Sequence, residues 1–237
     1  MDRPERLNAL DLEHVVTLRD ALRDVAGDDA TRVVILTGAG RAFTAGGDVT
    51  AMVGGNGGGA GSEPLDLRSI MEISELLHTM PAITVAAVNG PCAGAGLSFA
   101  CACDLRYAAR SAVFVSAFLR VGSSGDHGSA WVVTQAVGPA KARELLLLGD
   151  RVGADEALRI GLVTAVVDDK ELTPHVAGIA ARLAGMPPTA TRLMKANLDD
   201  AVTVPLAEYL DRETERFDEC SGSAESIAAA NAFLSKD

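Results

Sequence analysis

Two glycine-rich segments, each at the end of an apolar run, hold the residues of this chain best suited to do chemistry. In Arg32-Val-Val-Ile-Leu-Thr-Gly-Ala-Gly-Arg-Ala-Phe-Thr-Ala-Gly-Gly-Asp-Val49, the run Val33 to Leu36 enters a small-residue loop ending Ala45-Gly46-Gly47-Asp48. In the stretch from Pro81 to Asp104, a β-branched run (Ile83 to Val88) stops at the turn signal Asn89-Gly90-Pro91. Small residues follow from Ala93 to Gly96, and an apolar segment opens at Leu97. Each segment starts as a strand, and the second continues through a tight turn into a buried helix. With almost no side chain between Ala93 and Gly96, a ligand can touch the backbone, and the free N–H groups of a helix start favour negative charge. Two strand ends feeding one backbone donor each into a pocket, Gly47 from the first and Ala95 from the second, would form an oxyanion hole. Such a hole stabilises a carbonyl oxygen that becomes negative during reaction. The plainer alternative is close helix–strand packing.

A dinucleotide site is excluded. Its fingerprint needs G-x-G-x-x-G opening a helix directly after the strand. Phe43 stands at the third glycine position after Gly38 and Gly40, and Phe99 stands there after Gly94 and Gly96.

The elements that must position these loops can be read from periodicity. Asp11 is placed to cap a helix running to about Val25, with an apolar stripe of Leu12, Val15, Val16, Leu18, Leu22 and Val25. Gly54-Gly-Asn-Gly-Gly-Gly-Ala-Gly-Ser62 is too entropically costly to order unaided and reads as a mobile loop. A helix from about Leu65 to Met80 precedes the second strand, and Leu105–Ala108 and Val113–Val115 read as further strands. From Gly128 onward the pattern is mostly helical. Leu172, Val176, Ile179, Ala180 and Leu183 share one helical face, and Pro187-Pro188 and Pro205 open later helices.

At 237 residues the chain can form one large α/β domain or two small ones, with a core built from Ala, Val, Leu and Ile because aromatics are only 4%. A net charge of −11 argues against nucleic acid or an anionic membrane as partner. It still permits an anionic ligand held by a local patch around Arg6. Cys92, Cys101, Cys103 and Cys220 have neither zinc-ligand nor C-x-x-C spacing, and Cys101 and Cys103 read as small core residues. No signal peptide and no membrane-length apolar run is visible, so a reducing cytoplasm is the expected compartment.

In order along the chain, four motifs resemble the signatures of the enoyl-CoA hydratase/isomerase (crotonase) family. They are Arg3-Pro-Glu-Arg-Leu-Asn-Ala-Leu10; Gly40-Arg-Ala-Phe-Thr-Ala-Gly-Gly-Asp48; Ala87-Val-Asn-Gly-Pro91 with Gly94-Ala-Gly96 and Cys103-Asp104; and Leu145-Leu-Leu-Leu-Gly-Asp-Arg-Val152 with Glu156-Ala-Leu-Arg-Ile-Gly-Leu-Val163. The resemblance implies an α/β fold, a crotonase-like spiral of ββα units over residues 1–185. A helical C-terminal region, 186–237, would build a homotrimer or dimer of trimers. It implies an acyl-CoA thioester as substrate, coenzyme A entering with it and no separate cofactor or metal. Family members usually begin with a further strand pair upstream of the first motif, so either the start lies upstream or the first sheet layer is reduced.

The same resemblance locates the chemistry. Hydratases use two glutamates to activate water and protonate the α-carbon, and Ser98 and Phe118 occupy those positions here. Asp126, in Gly122-Ser-Ser-Gly-Asp-His-Gly-Ser-Ala-Trp131, resembles the single aspartate of the double-bond isomerase branch, which also has an aromatic at the Phe118 position and a tryptophan like Trp131. In an apolar pocket its pKa would be raised, as suits a base that returns its proton. The competing role for Asp126 is to cap the following helix. Substrate contacts are expected from Arg6, Ala45, Asp48, Val49, Gly94 and Phe118, with Asp48 chiefly anchoring its loop. His127 is a second acid/base candidate, whereas His14, His78 and His175 read as surface-facing. Double-bond isomerisation by Asp126 is therefore the leading expectation. Hydration with help from His127 or a bound water, and acyl-CoA binding without turnover, are the alternatives.

Overall fold

The computed structural model describes residues 1–50 and 66–235. The expected mobile loop, Gly54 to Ser62, lies outside them, as does the expected helix start at Leu65.

Strand β1 (Val33–Thr37) pairs in parallel with β2 (Ile83–Val88), β2 with β4 (Leu105–Ala109), and β4 with β7 (Ala165–Val167), giving the order β1-β2-β4-β7. Alternate residues of β2 serve two cores, as the twofold period of a strand requires. Ala86 and Val88 join Ile73, Leu77 and Phe99 on one face, and Val85 and Ala87 join Tyr107, Leu172 and Val176 on the other. A parallel strand covered on both faces has no polar side, hence the nearly unbroken apolar sequence Ile83 to Val88. The first face is covered by α3 (Glu72–Thr79) and α4 (Ala95–Ala102), the second by α7 (Leu172–Ala184). Short strands β3 (Pro91–Ala93), β5 (Val113–Val115) and β6 (Val152–Gly153) form a second sheet in that order. Helix α1 spans Leu12–Ala26, and Asp11 caps it by accepting from the His14 N–H at 3.1 Å.

The expected single helix before β2 is interrupted at Met71, giving α2 (Leu67–Ile70) and α3. The region after Gly128 is also less uniformly helical than its pattern suggests. Helix α5 (Ser129–Leu148) bends at Gly138-Pro139, and β6 and β7 flank α6 (Ala154–Arg159). Strands of two or three residues are too short to display a period.

The chain ends in helices α8 (Pro188–Asp200), α9 (Leu206–Cys220) and α10 (Ala224–Leu234), with Pro188 at the first position of α8 and Pro205 just before α9. Helix α8 is tied to the sheet by a buried cation. Lys195 Nζ lies 2.8 Å from Asp104 Oδ2 and 3.1 Å from the Ala82 carbonyl. The same carboxylate oxygen accepts from the Thr84 N–H and Oγ, so the buried charge pair is also hydrogen-bonded. Among the described residues, no helix is long and apolar enough to cross a membrane.

Candidate active site

The two glycine loops meet backbone to backbone. Cys92 and Thr44 form a parallel bridge, the Ala93 N–H donates to the Thr44 carbonyl at 3.0 Å, and Phe43 and Thr44 donate to the Pro91 carbonyl. A β-carbon on Gly46, whose φ is +84°, would lie 2.7 Å from the Ala93 carbonyl oxygen. Gly94, at φ +53°, passes the same crossing from the other side. Glycine is required here by both conformation and contact distance.

This packing leaves two donors free. Leu10 forms a parallel bridge with Gly47, donating to the Gly46 carbonyl and accepting from the Asp48 N–H, each at 2.8 Å. In such a ladder the bridged residue turns its own N–H to the opposite edge, so Gly47 directs its donor away from Leu10. Ala95 is the first residue of α4, where a helical N–H has no partner within the helix. Neither N–H donates to an acceptor among the described residues.

Two asparagine side chains, Asn8 buried and Asn89 half-buried, hold the loop before Gly46. Asn8 Nδ2 donates to the Ala39 and Ala42 carbonyls at 2.9 and 2.8 Å, and Asn89 Nδ2 donates to those of Gly38 and Gly40. Sequence reasoning included both in its motifs without assigning them a task. The sign available was Asn8's position in a polar gap between apolar residues, since asparagine tolerates the left-handed φ of 55° found there.

Asp48 anchors the loop as expected. Its carboxylate accepts from the Thr50 N–H and hydroxyl, and Arg3 and Arg6 lie 3.4 and 3.6 Å from it. Arg6 is half exposed and engaged with Asp48. Ala45 and Val49 face solvent, and Ala45 donates its N–H to the Leu7 carbonyl.

The third side of the site is the loop before α5. Phe118 is buried, and a β-carbon on Gly94 would lie 3.7 Å from its ring. Ser98, fully buried on α4, donates its hydroxyl to the Asp126 main-chain carbonyl at 3.2 Å. The loop bearing Asp126 thus lies against the helix that starts with the Ala95 donor. The capping role for Asp126 is not realised. Gly128 occupies the N-cap of α5 without a side-chain cap bond, and Asp126 Oδ1 is buried with no hydrogen-bond partner. Burial alone pushes this carboxyl up to about 6. His127 is buried and pushed down to about 4 by the same desolvation, so it is neutral at physiological pH.

Trp131 is 46% exposed and meets the His78 ring edge-on at 5.0 Å. The expectation for the histidines needs correction. His78 and His175 are half-buried, not surface-facing. His78 lies 3.6 Å from Asp199, and His175 packs edge-on against Tyr107, where the inner face of α7 covers the sheet. His14 is also half-buried, bonded to Asp11. Cys92, Cys101 and Cys103 are buried, and desolvation pushes Cys101 to about 11 and Cys103 to about 12, as inert core thiols.

A cavity of 580 Å³ lies elsewhere, between Leu105 and the α8 residues Met194 and Leu198; it touches none of Gly47, Ala95 and Asp126. One of 450 Å³ is bounded by Phe118, Ser124 and Ser129, on the flank of the Asp126 loop. Among the described residues, no cluster of three or more His, Cys, Asp or Glu could hold a metal ion.

These features coincide with a known enzyme class. The family model for enoyl-CoA hydratase/isomerase matches residues 1–237, and the chain belongs to that family. It is 36% identical to a 1,2-epoxyphenylacetyl-CoA isomerase of Escherichia coli and 32% identical to a crotonyl-CoA hydratase of Syntrophomonas wolfei. Each alignment covers 100% of this chain and 90% of the relative. The crystal structure of an enoyl-CoA hydratase from Polaromonas sp. JS666 superposes with a TM-score of 0.90 at 30% identity, covering 99% of this chain and 91% of that one. The fold is therefore crotonase-like, and the relatives' names include both hydratases and an isomerase.

Proposed function

We propose that this chain is an enoyl-CoA double-bond isomerase in which Asp126 is the single acid/base. The observation that carries the reading is the half-buried Asp126 carboxylate, whose Oδ1 is buried without a partner and whose pKa is raised to about 6 beside α4. With a 3-enoyl thioester bound, the ionised carboxylate takes the α-proton. The electron pair moves into the thioester, and the negative oxygen accepts from the Gly47 and Ala95 N–H groups. Asp126 then returns the proton to the γ-carbon, leaving the 2-enoyl thioester. Arg6, Ala45, Asp48, Val49, Gly94 and Phe118 form the substrate-binding surround, with Arg6 supplying positive charge toward the coenzyme A phosphates. No cofactor beyond the coenzyme A of the substrate is needed.

Hydration requires a second group beside Asp126, so that one deprotonates water while the other protonates the α-carbon. Ser98 is occupied by the Asp126 carbonyl, Phe118 has no polar atom to offer, and His127 is buried beside Phe99. Rates on matched 3-enoyl-CoA and 2-enoyl-CoA substrates test the proposal, with ring-derived thioesters included because of the Escherichia coli relative's name. Turnover of the 3-enoyl substrate with at most trace hydration of the 2-enoyl one is expected. Efficient hydration would overturn the isomerase reading, and binding without either reaction would leave an acyl-CoA-binding protein.

The C-terminal helices support assembly as a homotrimer or dimer of trimers. Leu198, Leu206, Leu210 and Phe217 are all exposed, and helices α9 and α10 bury no residue within the chain. Light scattering at micromolar concentration should return the mass of three or six chains; a one-chain mass would refute the assembly.

A further inference from the structure

We propose that His127 is a positioning residue, its ring wedged against α4 so that the neighbouring Asp126 carboxylate is aimed and its Oδ1 is shielded from water. This inference rests on the isomerase reading above. Helix α4 holds the loop at two successive residues. The Asp126 carbonyl accepts from Ser98 Oγ at 3.2 Å, and from the Ser129 N–H at 2.9 Å on the α5 side. The His127 ring meets Phe99 edge-on, with centroids 4.7 Å apart and planes at 69°. Phe99 is fully buried, and α4 begins with the Ala95 donor. Base and oxyanion donor are thus referenced to one rigid element.

Two features of His127 are unfavourable for folding alone. Its backbone has φ +45°, a left-handed conformation that resists a β-carbon. Its ring Nδ1 is buried without a partner. Strain of this kind persists where the surroundings over-determine it, and it clusters at functional sites. A glycine would relieve both features but would leave the space beside Phe99 open to water.

The ring also contributes by having no charge. Burial, opposed only by contact with the Met71 backbone, holds it neutral above about pH 4. Helix α4 has no charged side chain, and α3 offers Glu72, Glu75 and His78. None of these contributes to the Asp126 shift, which is due to burial alone. A cation at position 127 would lower the Asp126 pKa and weaken the base.

The test compares His127→Gly and His127→Phe in the full chain, each checked by its melting temperature. For His127→Gly, kcat on a 3-enoyl-CoA should fall about 10- to 100-fold with KM within about twofold, the usual cost of misplacing a reacting group. The Asp126 titration, followed by carboxyl ¹³C NMR, should move from about 6 toward the ordinary aspartate value of about 4. His127→Phe keeps the wedge and should keep both the rate and the titration. Wild-type values in the glycine variant would overturn the proposal. So would equal losses in both variants, which would make an imidazole nitrogen the working group. If the wild type isomerises nothing, the isomerase reading falls, and the Asp126 titration still decides the role of His127.

Discussion

Asp126→Asn is expected to lower isomerase turnover by about two to four orders of magnitude, the usual worth of a general acid–base group. Asparagine preserves the shape and the backbone contacts to Ser98 and Ser129, which involve the main-chain carbonyl. Thioester binding should therefore change little, because the proposed oxyanion donors are backbone groups on other loops. In the wild type the base works only when ionised, so kcat/KM should rise with pH through about 6 and level off above it. The residual activity of the asparagine variant should lack that limb. Stability has the opposite sign. The folded-state pKa is raised, so the fold favours the protonated acid, and a destabilising contribution develops as pH climbs from about 4 to about 6. At neutral pH, Asp126→Asn should melt no lower than the wild type. Near-full turnover in the variant, or a wild-type profile flat between pH 5 and 7 (the interval set by the shift to about 6), would remove Asp126 from the mechanism.

Gly46→Ala should be nearly as damaging, by a different route. The added β-carbon would lie 2.7 Å from the Ala93 carbonyl oxygen, closer than real β-carbons approach, and φ +84° is itself unfavourable for alanine. The two loops must separate, splaying the Gly47 and Ala95 donors. Losing one oxyanion donor costs about 10²- to 10³-fold in kcat, and this change displaces both. The loss should appear in kcat far more than in KM, since the geometry matters most for the charge that develops during reaction. Gly122→Ala, at φ +71° but with open space around its β-carbon, is the control for backbone strain without a clash. Equal kinetics for the two variants would dismiss the loop crossing as a determinant of rate.

The sequence by itself determined the elements whose signals are local. The unbroken apolar run from Ile83 to Val88 identifies a strand covered on both faces, because no side of it is left for water. Glycines at 46, 47, 94 and 96, with alanine at 95, identify a place where backbones approach closely, and two free N–H groups follow from a strand end and a helix start. The order of these motifs was enough for the family. Other features depended on tertiary structure. Whether Asp126 capped a helix or kept a buried, unpartnered Oδ1 depended on the turn at Gly125–Gly128, since capping and catalysis call for the same residue beside the same helix. The environments of Trp131, His78 and His175 were illegible, because which helix faces meet is set by packing between distant segments. Ser98 reads as a lost glutamate until the fold brings the Asp126 carbonyl to its hydroxyl, 28 residues away along the chain. The apolar runs are legible in sequence because burial acts on each side chain through its own surface. A buried carboxylate's pKa is set by what the rest of the chain places around it.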